Sequence, residues 1–348
     1  MIQIQEIRNK INKIIALGNH EPIIQSILDF DYLSGKPHGS VLAIVTGRRG
    51  YAKYFFGRRE ILIPTHATLP QSSDLRALRS VSKGEIGTSE PANLWFFNNL
   101  SGRRTLTSTL ECLHPHGSDL RAVCSEAKNR SELSDLVFAG GIIFAEGVPE
   151  LHSLQIIKHN RQLIIGPASV GLLVPGILKL GPIGGITPKQ LDEGHLTEPG
   201  NVAVISGSGG MTNELISVAT QTGHRISFAL SYGGDRFPIL SPRDAFLLAQ
   251  SDPVTKTVLY YGELGGEDEY ELVKLKQEGK FTKPVIAHIA GTVASLFPES
   301  PQFGHAKAKA DKQRVTALSK RKALASVGFQ VSNSFTEFIE FVTKIRQP

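Results

Sequence analysis

Residues 202–231, VAVISGSGGMTNELISVATQTGHRISFALS, decide the fold. A short apolar run ends in the small residues Ser206 to Gly210, a segment of helical period covers about 211–222, and a second apolar run, ISFALS, follows. Apolar runs of this length, bounded by turn residues, read as strands buried on both faces, and a helix between two of them reads as a parallel pair. The pattern continues outward through TVLYYGE at 257–263 and PVIAHIAG at 284–291, with helices expected at roughly 242–251, 267–278 and 311–327. The expected architecture is α/β, a parallel sheet with helices on both faces and a ligand site outside the carboxyl ends of its strands.

Upstream the alternation is less regular. Candidate strands at VLAIVT, LWFFNN, LVFAGGIIFAE and QLIIGP suggest a second open α/β unit, with the boundary between the two near Pro167. Between Thr65 and Leu94, and between Leu113 and Asp135, the chain turns polar and rich in Ser, Gly, His and Arg, which reads as long surface excursions. With 348 residues and 41% hydrophobic content, the chain is long enough for two cores.

Two cysteines, Cys112 and Cys124, are too few for a disulfide framework or a zinc ribbon, and point to a reducing compartment. The N-terminal MIQIQEIRNKINKIIALG lacks the uninterrupted apolar run of a signal peptide or a spanning helix, so the expected location is the cytoplasm, with no membrane partner. The net charge of +6 is spread over pairs such as Arg48-Arg49, Arg58-Arg59 and Arg103-Arg104. Scattered pairs without interleaved aromatics suit a phosphorylated small ligand and argue against nucleic acid.

Three segments carry chemistry. In VAVISGSGG the first-turn amides of the following helix have no internal partners, and Ser208, Gly209 and Gly210 leave a phosphate or carboxylate room to approach them. Read alone, the same glycines are equally a tight strand-to-helix turn. In YYGELGGEDEYEL, Glu263 closes an apolar strand, whereas Glu267, Asp268 and Glu269 are first-turn acids that complement a helix dipole. In PVIAHIAGTVASLFPESPQFGHA the chain leaves a buried strand and reaches His305 in a loop of small residues. A lone histidine is usually a solvated loop residue. Three deliveries to one sheet edge make it a candidate phosphoryl nucleophile, with Glu263 orienting the ring. His288, inside the apolar run, reads as a core residue, and no further ligand pattern supports a metal at His114 and His116.

Together these segments resemble the α-type subunits of the acyl-CoA synthetases that form a phosphohistidine, the family of succinyl-CoA synthetase and ATP-citrate lyase. The likeness is greater to the citrate branch, on ILDFDYLSG, GRREILIP, AEGVPE, IGPASVGLL, GGMTNEL, GGDRFP and PQFGHA. It implies a Rossmann-like CoA-binding domain over 1–166 and a flavodoxin-like, succinyl-CoA synthetase-type ligase domain over 167–348. It also implies His305 as the phosphorylated residue, Glu263 as its holder, and Ser208, Gly209 and Gly210 at the helix terminus that receives the phosphoryl group. By the same resemblance ATP and Mg belong to a separate ATP-grasp β-type subunit, coenzyme A attacks the activated acid, and citrate becomes citryl-CoA, which a separate citryl-CoA lyase would cleave.

Residues at the strand ends of the first unit, Arg48 and Arg49 in VLAIVTGRRG and Ser101, Arg103 and Arg104 in LWFFNNLSGRRT, are the expected contacts for coenzyme A, because guanidinium pairs suit phosphate oxygens. Arg236 of GGDRFP, where the succinate branch usually carries proline, is a candidate extra donor for citrate or a brace for its own loop, which the sequence does not separate. Two departures from the family pattern stand out: the glycine after GHA is replaced by Lys307, followed by Lys309, and an arginine of the strand-to-helix turn by Gly207. The glycine-rich CoA turn usual in the succinate branch is replaced by IALGNHEPIIQSILDFDY. Two rival readings are a succinate-type CoA ligase and a regulatory CoA-binding protein without turnover, which fold alone does not separate.

Overall fold

The computed structural model describes residues 1–71, 92–113, 136–297, 301–302, 305, 308–310 and 312–346. The expected histidine pair His114 and His116, Cys124, Lys307 and most of both polar excursions lie outside these residues. Two seven-stranded sheets organise the rest. The first contains β1 (Asn12–Leu17), β2 (Val41–Val45), β3 (Gly50–Phe56), β4 (Arg59–His66), β5 (Asn93–Asn98), β6 (Gly140–Ile143) and β7 (Leu163–Ile165). The second contains β8 (Gly171–Val174), β9 (Leu178–Leu180), β10 (Val202–Ser206), β11 (Ile226–Ser231), β12 (Thr257–Glu263), β13 (Val285–Ala290) and β14 (Gln330–Ser332).

In the second sheet the order is β14-β13-β12-β10-β11-β8-β9. Strands β10 to β14 pair in parallel, while β8 and β9 close the edge antiparallel. Every residue of VAVIS and ISFALS is buried, as a strand covered on both faces requires. The chain leaves β10 toward β11 on one side and reaches β12 on the other, so the edge beyond β10 and β12 is the point where the strand order reverses. The first sheet, ordered β3-β4-β2-β1-β5-β6-β7, reverses likewise between β1 and β5.

The structure adds elements that the apolar runs do not announce. NKIIAL is a central strand, β3 and β4 form a hairpin, and the expected excursion after Thr65 begins only beyond β4. The helix expected from 211 begins at Gly209, because Ser208 caps it. The one expected from 311 begins at Ala317, where the Thr316 side chain accepts the Ser319 amide. Among the described residues no helix is long and apolar enough to cross a membrane.

The two sheets are tied by buried polar contacts. The N-terminal helix Ile4–Arg8 crosses to the second sheet, where Arg8 pairs with the buried Asp252 (Nη2 to Oδ2, 3.0 Å) and donates to the Ser227 carbonyl at 3.0 Å. Lys179 on β9 is 1% exposed and donates to Ser26 Oγ and the Gly181 carbonyl, both at 2.8 Å. Burial lowers its pKa from 10.5 to about 7, against the opposing pull of Asp29 and Asp31. The folded chain therefore binds fewer protons here than the unfolded chain between about pH 7 and the ordinary lysine value. Lys179 adds stability as pH rises through that window, on the order of a few kcal/mol in total, and none below it. Urea unfolding from pH 6 to 9 should show the difference between wild type and Lys179→Met growing only above about pH 7.

Candidate active site

His305 and Glu263 meet at the carboxyl edge of the second sheet. The imidazole Nδ1 lies 2.8 Å from Glu263 Oε1 and 3.0 Å from Oε2, a two-pronged contact that fixes the ring plane. Both side chains are partly buried, His305 33% and Glu263 23% exposed, so the pair is sheltered yet reachable. A ring whose Nδ1–H is donated to a carboxylate keeps its lone pair on Nε2, which is then the nucleophilic atom. The face of the ring lies on Gly234: a Cβ built there would fall 2.5 Å from His305 Cδ2 and 2.7 Å from Nε2. Gly234→Ala should therefore lift the ring off Glu263 and cut phosphorylation of His305 by roughly tenfold or more, measured as acid-labile label at unchanged thermal stability.

Beside the pair opens a cleft of about 420 Å³. Gly209 and Gly210 line it at the first turn of helix Gly209–Gln221, whose N-cap Ser208 accepts the Met211 amide at 3.4 Å. Nothing stands within 4 Å of a Cβ built on Gly210, which leaves room for an anion there, whereas a Cβ built on Gly209 would meet Val170 Cγ1 at 2.6 Å. Ser208 does not line this cleft and faces a smaller interior cavity with Glu263. Ser206 ties the turn to the neighbouring strand, its Oγ accepting the Ser208 amide and donating to the Tyr261 carbonyl, both at 3.0 Å.

The remaining walls include residues the sequence reading did not assign. Phe144 and Glu146 come from the first unit just beyond β6, Glu146 within the AEGVPE segment, and Asp235 follows Gly234. The Asp235 carboxyl is pushed above its ordinary value, chiefly by burial and then by Glu146, with His305 pulling the other way. Its Oδ2 is buried without a hydrogen-bond partner. Arg236 follows Asp235; its side chain is 61% exposed and lies 3.7 Å from Glu150 of the first unit, outside the residues that line the cleft. Gly207 is backed by the Tyr232 ring, 3.0 Å from a built Cβ, so the turn is tightly seated without the expected arginine.

On the first sheet, Arg48 and Arg49 follow β2 and Ser101 and Arg104 follow β5. Both strands flank β1 in parallel, which puts these residues on one carboxyl edge, at the reversal of strand order. Arg48, Arg49, Ser101 and Arg104 are exposed; the side chain of Arg103 lies outside the description.

Residues 205–329 match the CoA-ligase family. ATP-citrate synthase beta chain protein 1 of Arabidopsis thaliana is 35% identical over 325 residues, covering 92% of this chain and 48% of that protein. The Homo sapiens ATP-citrate synthase is 32% identical over 338 residues, 96% of this chain and 28% of that protein. Among solved structures, ATP citrate lyase from Methanothrix soehngenii in complex with citrate and coenzyme A superposes with a TM-score of 0.79 at 32% identity, over 96% of this chain and 49% of that one. The chain thus spans about half, or less, of the length of these relatives.

Proposed function

With a CoA-ligase domain over residues 205–329 and ATP-citrate synthases as its relatives, we propose that the chain ligates an acid to coenzyme A through a phosphohistidine at His305, with citrate as the acid. The observation that carries this is that His305, held by Glu263, lines the same cleft as the first turn of helix Gly209–Gln221. In the proposed sequence Nε2 bonds to phosphorus as the terminal P–O bond of ATP breaks, and ADP leaves. A citrate carboxylate oxygen then takes the phosphoryl group, the N–P bond breaks, and His305 is regenerated. The thiol sulfur of coenzyme A bonds to the acyl carbon, phosphate leaves with the thiol proton, and citryl-CoA remains. Gly209 and Gly210 present amides to the phosphoryl oxygens throughout.

In this reading residues 1–166 bind coenzyme A, using Arg48, Arg49, Ser101, Arg103 and Arg104, and residues 167–348 are the ligase domain. ATP and Mg bind an ATP-grasp partner subunit, which accords with relatives named as a beta chain and as subunit 1. The proposed setting is cytoplasmic. The test is co-expression with an ATP-grasp subunit, followed by CoA-dependent ADP release with citrate, succinate, malate and acetate. Citrate is expected to be preferred, with citryl-CoA accumulating until a lyase is added. Preference for succinate would refute the choice of acid, and no turnover with any acid would refute the ligase reading.

A further inference from the structure

We propose that Lys320 is a positioning residue that sets Glu263 against His305, an inference that rests on the phosphohistidine reading and assigns it a part outside the cleft. Lys320 projects from helix Ala317–Ser326, and its ammonium is 1% exposed. It donates to the backbone carbonyl of Glu263 at 2.7 Å and to that of Gly265, and it pairs with Glu269 at 2.5 Å. Those carbonyls belong to the turn that ends β12, where Gly265 and Gly266 have φ of 78° and 57°, left-handed backbone that favours glycine. On its other side the turn is held by the Leu264 amide on the Ala290 carbonyl (3.0 Å) and the Gly265 amide on the Val315 carbonyl (2.8 Å). The ammonium therefore replaces the ladder partner that β12 loses at its end, at the residue whose side chain grips the imidazole.

The charge is embedded in a network with no route to bulk water through Lys320. Glu269 Oε1 accepts from Tyr260 OH at 3.1 Å, Tyr232 OH donates to Asp268 Oδ2 at 3.0 Å, and the two hydroxyls are 3.4 Å apart. These groups surround a cavity of about 10 Å³ that also touches Gly207, Ser208 and Glu263, the size of a single water site. The helix terminus and the carboxylate thus share one rigid floor. Buried ion pairs are commonly replaceable by apolar residues without loss of stability, so stability alone does not account for an ammonium at this place. What an apolar residue cannot supply is a donor to the Glu263 carbonyl.

The experiment uses the full chain and phosphoramidate as phosphoryl donor, so that no partner subunit is required. The phosphoryl group passes from nitrogen of the donor to Nε2 of His305, and ammonia leaves. Lys320→Met with Glu269→Gln removes both charges, leaving none buried and unpaired, whereas Glu269→Gln alone keeps the donor. The double variant is expected to label at His305 on the order of tenfold more slowly than wild type. The single variant, which leaves the buried ammonium without its carboxylate, is expected to have the lower urea midpoint of the two and yet to label close to wild type. Labelling that follows the urea midpoint rather than the presence of Lys320 overturns the proposal. The His305 ring proton titration, assigned with His305→Ala, is the second readout: its midpoint should move toward acid in the double variant only. An unmoved midpoint overturns the proposal even if no label is taken, whereas a wild-type chain without label at His305 counts against the phosphohistidine reading instead.

Discussion

His305→Ala abolishes acid-labile, base-stable phosphate labelling of the chain by ATP in the presence of an ATP-grasp subunit and magnesium. The loss is expected to be complete because the described cleft holds no second imidazole, and because the geometry that makes Nε2 nucleophilic is specific to this ring. His288, within β13 of the second sheet, is unsuited. Burial takes its pKa down to about 4, its Nδ1 lies 2.9 Å from Ser332 Oγ, and Phe335 and Phe338 pack against it. Folding should survive the substitution, since the His305 ring lies in a loop at the mouth of the cleft and is a third exposed. Label that persists in this variant, mapped by peptide analysis under alkaline conditions, would move the phosphohistidine elsewhere.

Glu263→Gln lowers the rate of phosphorylation by about a hundredfold while leaving binding of coenzyme A and the acid near wild type. The carboxylate has two functions in the geometry. It accepts Nδ1–H and so holds the tautomer, and it places a negative charge beside the ring as Nε2 bonds to phosphorus and the imidazole becomes cationic. Glutamine retains the shape and one acceptor but brings no charge, so the loss should fall on kcat with KM little changed. Single-turnover formation of the phosphohistidine separates this from slower substrate binding. Turnover unchanged in the variant would reduce Glu263 to a structural residue.

Much of this arrangement is legible along the chain. VAVIS, ISFALS and TVLYYGE are strands within the bounds their apolar runs suggest; Glu263 ends one strand, and Ser208 and His305 follow others, on the same edge. The first unit is less legible because its signals are mixed. NKIIAL sits behind a charged N-terminus, and the β3–β4 hairpin shows Tyr51, Phe55 and Leu62 to solvent, so its alternation does not separate an inner from an outer face. The pairing of Arg236 is not legible for a related reason. Its position after β11 is a true strand end, but the loop turns its guanidinium toward Glu150 of the other unit, a neighbour that local pattern does not encode.

What the sequence by itself determined is the alternation of buried strands and helices, and with it the sheet edge at which small residues, a glutamate and a histidine are delivered. These are properties of hydrophobic period and turn chemistry, which act over a few residues. The tertiary structure alone decided which side chains meet there. Glu263 and His305 are 42 residues apart, and Lys320 lies 57 residues from Glu263. Arg8 reaches Asp252 across 244. A lysine in the run SKRKALAS reads as a solvated helix face. It becomes a buried donor because helix Ala317–Ser326 packs over the end of β12 and gives its ammonium two carbonyls and a carboxylate as partners. Desolvation depends on what the rest of the chain places around a group, and that is a property of the packed whole rather than of any segment.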